Sequence, residues 1–336
     1  MATGIKQIAE MAGVSVTTVS HVVNGTRFVS EEKRERVLRT MRRLHYRPNR
    51  LASGLRRRKS STIGVVLPDI TNPYFAEIAR GVEDACFERE YSVIICNSDA
   101  SLKIEAHYLS MLAEKQMDGI VLINVGDHGQ KPPGSIARDI PFVMLDREVH
   151  GMNTDSIQVD NFAGGRMAAD HLFALGHRTV ACIGGAPEVY PSWDRVDGFV
   201  QYMRDAGHPV PSRMILAGDF QAESGYVTTC RVMRAKKRPT AIFAANDLMA
   251  CGAVRALTEM GLCVPADVSV VGFDDITLSG LFNPPLTTIH QPRLEMGGTA
   301  VALLLERAAR PGLKPRRVML PLRLVARQSS GPAEGA

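Results

Sequence analysis

At seven places in this chain, polar or aromatic side chains follow a short apolar run, directly or within a few residues: Asp69 to Phe75, Asp146-Arg147, Trp193-Asp194-Arg195, Asp219-Phe220, Asn246-Asp247, Phe273-Asp274-Asp275 and His290-Gln291. Carboxylates, amides and guanidiniums supply paired hydrogen bonds, and aromatic rings supply flat apolar faces. Together they suit a sugar-like ring, with polar edges and apolar faces. Taken singly, each is weak, because an Asp or Asn after a strand is more often a helix cap. Agreement among seven strand ends carries the reading. Catalytic signatures do not compete with it. The chain has no G-x-G-x-x-G after a strand, no phosphate-binding P-loop, no G-x-S-x-G elbow and no H-E-x-x-H. His171, His177 and His290 are scattered and read as structural. The six cysteines lie far apart, without the pair spacing of a metal site, and read as reduced thiols. Neither an enzyme, nor a metal, nor a cofactor is expected.

A second constellation lies at the start. In Gly4 to Gly25, GIKQIAEMAGVSVTTVSHVVNG, the residues Ile5, Ile8, Ala9 and Ala12 share one helical face. Gly13 permits a sharp turn and Val14 packs it. Ser15 or Val16 opens a second helix with Val19, Val22 and Val23 inward, and Asn24-Gly25 stops it. Its outer face shows Val16, Thr17, Thr18 and His21, short hydrogen-bonding or methyl-bearing side chains suited to base edges in a major groove. Ser30 is expected to cap a third helix, with Val37, Leu38, Met41 and Leu44 as its core stripe. Residues 48–59 then form a basic segment of marginal helical potential, with Leu55 as its notable apolar residue beside Arg56. Such a leucine suits a wedge between base pairs, entered from the minor groove.

The charge distribution agrees. The first 60 residues hold 14 Lys and Arg against 4 Asp and Glu, whereas the rest hold 26 against 31. A basic head on an acidic body fits a phosphate-binding head module. From Ser61 onward, short apolar strands alternate with amphipathic helices, and the pattern restarts after residue 160. That predicts two α/β lobes with doubly wound parallel sheets and a ligand at the carboxyl ends of strands, in the cleft between lobes. Residues 1–47 are expected to be an all-α helix-turn-helix head, 48–60 a hinge, 61–160 plus 290–318 one lobe, 161–289 plus 319–328 the other, and 329–336 a flexible tail. No apolar run is long enough to span a bilayer and no signal peptide is evident, so a cytoplasmic chain is expected.

The motif run GVSVTTVSHVVNGTRFVSEE…LHYRPNRLASGLR, with the order of elements behind it, resembles the LacI/GalR family of bacterial repressors. The likeness spans nearly the whole chain and is nearest to members that repress ribose and purine operons. It implies a periplasmic-binding-protein-like effector domain and a dimer on palindromic operator DNA, with no membrane partner. It assigns base contacts to Thr17, His21, Val16 and Thr18, a further DNA contact to Arg27, and the minor-groove wedge to Leu55 with Arg56 beside it. It assigns ligand contacts to Asn72, Tyr74, Phe75, Asp146, Arg147, Arg195, Phe220, Asn246, Asp274 and Gln291. The Asp146-Arg147 pair looks like the sugar-binding subgroup. Val189 and Pro191 do not match the polar contacts of purine-binding members. Val16 stands where the nearest members carry threonine, and Gly54 where serine is common.

Overall fold

The computed structural model describes residues 4–24, 27–44, 46, 60–125, 140–147, 154–187 and 189–333. It forms two compact units, Met1–Ser60 and Ser61–Ala336. Among the described residues the head holds three helices, α1 (Ile5–Ala12), α2 (Val16–Asn24) and α3 (Glu31–Arg43). Gly13 ends α1 in the left-handed region at φ 62°, which a residue without Cβ adopts at no steric cost. Ser15 starts α2, its Oγ accepting from the Thr18 amide at 3.0 Å. Ile8, Ala9, Ala12, Val19 and Val37 form the buried core, flanked by Ile5, Val14, Val22, Val23, Met41 and Leu44. Two expectations are corrected. Ser30 precedes α3 but makes no side-chain capping bond, and Leu38 points outward at 37% exposure, because Val37 takes the inward position of that turn.

The body is built from two six-stranded sheets. The first has the order β11-β5-β4-β3-β1-β2 and comprises β1 (Thr62–Leu67), β2 (Ser92–Asn97), β3 (Gly119–Leu122), β4 (Phe142–Leu145), β5 (Asp155–Val159) and β11 (Arg317–Leu320). The second has the order β12-β10-β9-β8-β6-β7 and comprises β6 (Val180–Gly184), β7 (Ile215–Ala217), β8 (Ala241–Ala244), β9 (Ser269–Asp274), β10 (Thr287–His290) and β12 (Arg323–Val325). Every pairing is parallel except β10 with β12. Central strands such as β3, β4, β6 and β8 are buried along their whole length, as a sheet covered on both faces requires. The chain crosses between sheets three times, after β5, after β10 and between Leu320 and Arg323. Residues 317–325 thus hold two strands, one per sheet, and the last crossing falls two residues beyond the expected lobe boundary at 318.

The helices pack on these sheets as close pairs: α4 (Pro73–Phe87) with α10 (Arg293–Ala309), α6 (Asn161–Ala174) with α7 (Tyr190–Asp205), and α8 (Ala222–Val232) with α9 (Asp247–Glu259). Among the described residues the remaining α-helix of the body is α5 (Leu102–Glu114). Each close pair meets backbone to backbone at glycines. A Cβ on Gly165 would run into the Arg195 carbonyl, one on Gly297 into Ile78, and one on Gly252 into Ala222. α7 begins at Tyr190, where Pro191 fits a first helical turn.

Of the expected flexible tail, residues 329–333 are held by hydrogen bonds, and 334–336 lie outside the described residues. Ser329 is fully buried, its Oγ accepting from the Thr287 amide and donating to the Val270 carbonyl. The Ala333 amide donates to the Leu175 carbonyl. Polar tail residues gain these backbone partners only once β9 and β10 are assembled. Among the described residues, no helix is long and apolar enough to cross a membrane.

Candidate functional site

In the head, α2 turns Val19 fully inward and leaves Val16 42% exposed, with Thr17 also exposed and Thr18 and His21 half-buried. Thr18 differs from its neighbours. Its hydroxyl lies 2.8 Å from Ser15 Oγ, so it is partly engaged in the start of the helix. Arg27 is exposed, and Phe28 beside it is 95% exposed. Leu55, Arg56 and the rest of the expected hinge lie outside the described residues.

In the body, the carboxyl ends of both sheets open on one cavity of about 850 Å³. Asn72, Tyr74, Phe75, Asp146, Arg147, Arg195, Phe220, Asn246 and Asp274 all line it. Gln291 does not. It is fully buried behind the wall, donating from Nε2 to Asp274 Oδ1 at 2.8 Å and accepting from the Tyr74 hydroxyl at 3.2 Å.

Position along the strands explains the convergence. β1 ends at Leu67 and the turn after it is fixed by Asn72, whose side chain accepts from the Tyr74 amide as α4 begins. That sends Tyr74 and Phe75 back over the sheet. The Tyr74 hydroxyl donates to Asp146 Oδ1 at 2.6 Å. Burial first, and the Asp146 charge second, hold the phenol well above its ordinary pKa of 10.0. Arg147 follows on the same turn, with Nη1 donating to the carbonyls of Asn124 and Val125 and Nε 3.6 Å from Asp146. On the other sheet, Arg195 donates from Nε to Asn161 and from Nη1 to the Ala245 carbonyl, and lies 3.9 Å above the Phe273 ring. Its Nη1 also reaches Asp274 at 3.4 Å. Burial pushes the Asp274 carboxyl above the usual carboxylate range, against the opposing pull of Arg195.

Backbone strain collects here. Asp146 (φ 69°), Phe220 (φ 70°), Asp274 (φ 111°) and Asp275 (φ 56°) all adopt positive φ without being glycine. Each such residue costs on the order of 1–3 kcal/mol and persists where surrounding structure over-determines it, typically at functional sites. Asn246 proves to be a helix cap. Its Oδ1 accepts from the Met249 amide and its Nδ2 donates to the Phe220 carbonyl, so it shapes the wall with both polar ends engaged. Trp193 lies off the cavity, its indole N–H donating to the Ala186 carbonyl and holding that loop.

Several lining residues escape a strand-end search. Leu102 and Val125 enter from α5 and the end of β3, and Gln221 starts α8. Gln221 Nε2 donates to Asp69 Oδ2 at 3.3 Å, joining one lobe to the other across the cleft. Nearer the crossovers, Thr277 donates from its amide and hydroxyl to Glu77 Oε1, both at 3.0 Å. Arg293 donates from Nε to Glu77 Oε2 at 2.7 Å and from its other nitrogens to the carbonyls of Asp274, Asp275 and Gln291. The pairs of Gln221 with Asp69, Thr277 with Glu77 and Arg293 with Glu77 are not visible in sequence, because their members lie 152, 200 and 216 residues apart.

Comparison with known proteins supports the same two-part division. Residues 4–49 match the model of bacterial regulatory proteins, lacI family, and residues 169–330 match a periplasmic binding protein-like domain. The chain is 40% identical over 327 residues to the HTH-type transcriptional repressor PurR of Photobacterium profundum, covering 97% of this chain and 98% of that one. The chain belongs to the lacI family of bacterial regulatory proteins. A PurR of Yersinia pestis (strain Pestoides F) is also 40% identical, over 97% of this chain and 96% of that protein.

Among solved structures, this lacI-family chain is similar to the lac repressor dimer bound to operator and the anti-inducer ONPF, with TM-score 0.90, 31% identity, and coverage of 98% of this chain and all of that one. It is also similar to a LacI family regulator from Enterococcus faecium with bound ribose, with TM-score 0.73, 32% identity, and coverage of 81% of this chain and all of that one. A DNA-binding head and an effector-binding body therefore make up a transcriptional regulator, not an enzyme.

Proposed function

We propose that this regulator represses transcription by binding a palindromic operator as a homodimer, and that a sugar or sugar derivative in the interlobe cleft lowers its operator affinity. One observation carries the effector half. Nine of the ten residues that the family resemblance assigns to the ligand line a single cavity, with aromatic faces beside carboxylate and guanidinium edges. Its volume falls within the roughly 300–1,000 Å³ of sites that enclose small organic ligands. Val189 and Pro191 line it without offering a side-chain hydrogen bond, which favours a sugar over a purine base.

The operator half rests on the exposed outer face of α2 and on the charge confined to the head. Val16, Thr17, Thr18 and His21 read base edges, Arg27 adds a DNA contact, and Leu55 with Arg56 engages the minor groove. One such head covers a half-site, so two copies bind together. The regulator accordingly works in the cytoplasm, where the DNA is. Lobe arrangement and DNA affinity are linked as a two-state equilibrium, which the ligand shifts by its difference in affinity for the two states. Fluorescence anisotropy of labelled operator, with and without a panel of pentoses and hexoses, tests the sign. Weaker operator binding in the presence of a sugar is expected; tighter binding would make the ligand a corepressor.

A further inference from the structure

The cleft lining contains four carboxylates, Asp69, Asp146, Asp219 and Asp274, against two guanidiniums, Arg147 and Arg195. Both cations face a carboxylate of their own, Arg147 that of Asp146 and Arg195 that of Asp274. Both also spend donors on backbone carbonyls. A proton taken up by Asp274 still leaves three carboxylates against two cations.

Helix N-termini are the other common means of holding an anion, through free amides and the helix dipole. Five helices start at this cleft, and at each start at least one amide at or beside the first turn is engaged by the protein itself. Asn72 caps α4, Ser101 caps α5 and Asn246 caps α9, each accepting from an amide of the first turn. α7 has Pro191, which has no N–H, in its first turn, and the Ser192 amide donates to the Val189 carbonyl at 3.3 Å. At α8 the anion position is filled by the protein itself, since Asp219 Oδ1 accepts from the Gln221 amide at 2.9 Å and Glu223 lies in the same turn.

Resting on the effector reading above, we propose that the cleft selects an uncharged polyhydroxyl ligand, a free or glycosidically linked sugar, and rejects its phosphorylated or carboxylated counterpart. Asp69 and Asp219 set this specificity. They are the two lining carboxylates with no guanidinium partner among the described residues, and they flank the interlobe contact at Gln221. Among the described lining residues an entering phosphate meets four carboxylates and two guanidiniums that already face carboxylates, of whose buried nitrogens only Arg147 Nε lacks a hydrogen-bond partner, and like charge opposes its binding. Hydroxyl groups, by contrast, donate to the lone pairs that remain on these oxygens, Asp69 Oδ1 already accepting from the Thr71 amide and hydroxyl and Oδ2 from Gln221.

The test uses the full-length protein, isothermal calorimetry and the fluorescence of its one tryptophan, Trp193, which is bonded to the Ala186 loop at the cleft. The probes are ribose with ribose 5-phosphate, glucose with glucose 6-phosphate, and inorganic phosphate alone. For any pair that binds, the neutral sugar is expected to bind at least about 100-fold more tightly than its phosphate, and inorganic phosphate is expected to be silent. A phosphate ester that binds as tightly as its sugar, or inorganic phosphate binding to the wild type, overturns the proposal. Should none of these sugars bind, the Asp69→Asn, Asp219→Lys double variant decides. It is expected to gain binding of inorganic phosphate, and continued silence counts against the rim carboxylates. The effector reading fails separately: a neutral sugar that binds the cleft yet leaves operator affinity unchanged refutes the effector role and leaves the selectivity standing, whereas a sugar phosphate that releases operator does the reverse.

Discussion

Asp274 sits where three demands meet. Its carboxylate accepts from Gln291 and faces Arg195, its carbonyl is held by Arg293, and its backbone takes φ 111° as β9 ends. Arg293 is in turn tied to Glu77, which also holds Thr277 of the opposite lobe. The residue that presents a carboxylate to the cavity is thus fixed by groups that also bridge the lobes, and occupancy and lobe arrangement share partners there. Asp274→Ala is expected to leave operator affinity near wild type and to abolish the response to a neutral sugar. A charge-assisted hydrogen bond contributes about 1.5–3 kcal/mol, which corresponds to roughly a 10- to 100-fold loss of sugar affinity. Anisotropy and calorimetry on the same preparation check both halves.

Among the elements, the C-terminal strap after β12 stands out because it depends on neutral histidines. His177 is 2% exposed. Its Nδ1 bonds Thr240, and its Nε2 lies within hydrogen-bond distance of Ser269 and of the Gly331 carbonyl. His171 contacts Ser330 at 2.8 Å. Burial lowers both imidazoles below their ordinary pKa of 6.5. A group whose folded pKa lies below its unfolded value adds stability above the unfolded value and loses it as pH falls. The strap's contribution is therefore intact above about pH 6.5 and declines below it. Thermal melts at pH 7.5 and 5.5 should show a drop in melting temperature that is smaller in His177→Gln, a variant less stable at the higher pH. Equal drops in the two proteins would assign the acid sensitivity elsewhere.

For the whole molecule, function requires that a change in the cleft be felt at the DNA. The basic residues 48–59 join the two units, and such a segment is marginal as an isolated helix. In the function proposed above, this segment orders against its symmetry mate and the minor groove, and that ordering is the quantity the lobe arrangement would bias. Leu55→Ala is expected to cost specific operator affinity about tenfold or more while changing nonspecific DNA affinity little, since the phosphate contacts that dominate nonspecific binding are untouched. Titrations against operator and scrambled duplexes at matched salt measure both, and equal losses would reduce the segment to a tether.

The amino-acid order alone was enough for the two-part plan, the doubly wound body and most of the cleft. Helical spacing at Ile5, Ile8, Ala12 and Val19, strand-to-helix alternation and polar residues at strand ends are local signals, and parallel sheets bring their carboxyl ends together by topology. Tertiary structure alone decided the rest. It split residues 317–325 between two sheets, assigned both polar ends of Asn246 to capping, put Gln291 behind the wall and bound the tail to β9 and β10. It also paired each cleft arginine with a carboxylate. The physical reason is the same in every case: a hydrogen bond or ion pair has no sequence signal until the chain closes the distance between its partners, and which groups remain to meet a ligand depends on which have already found each other.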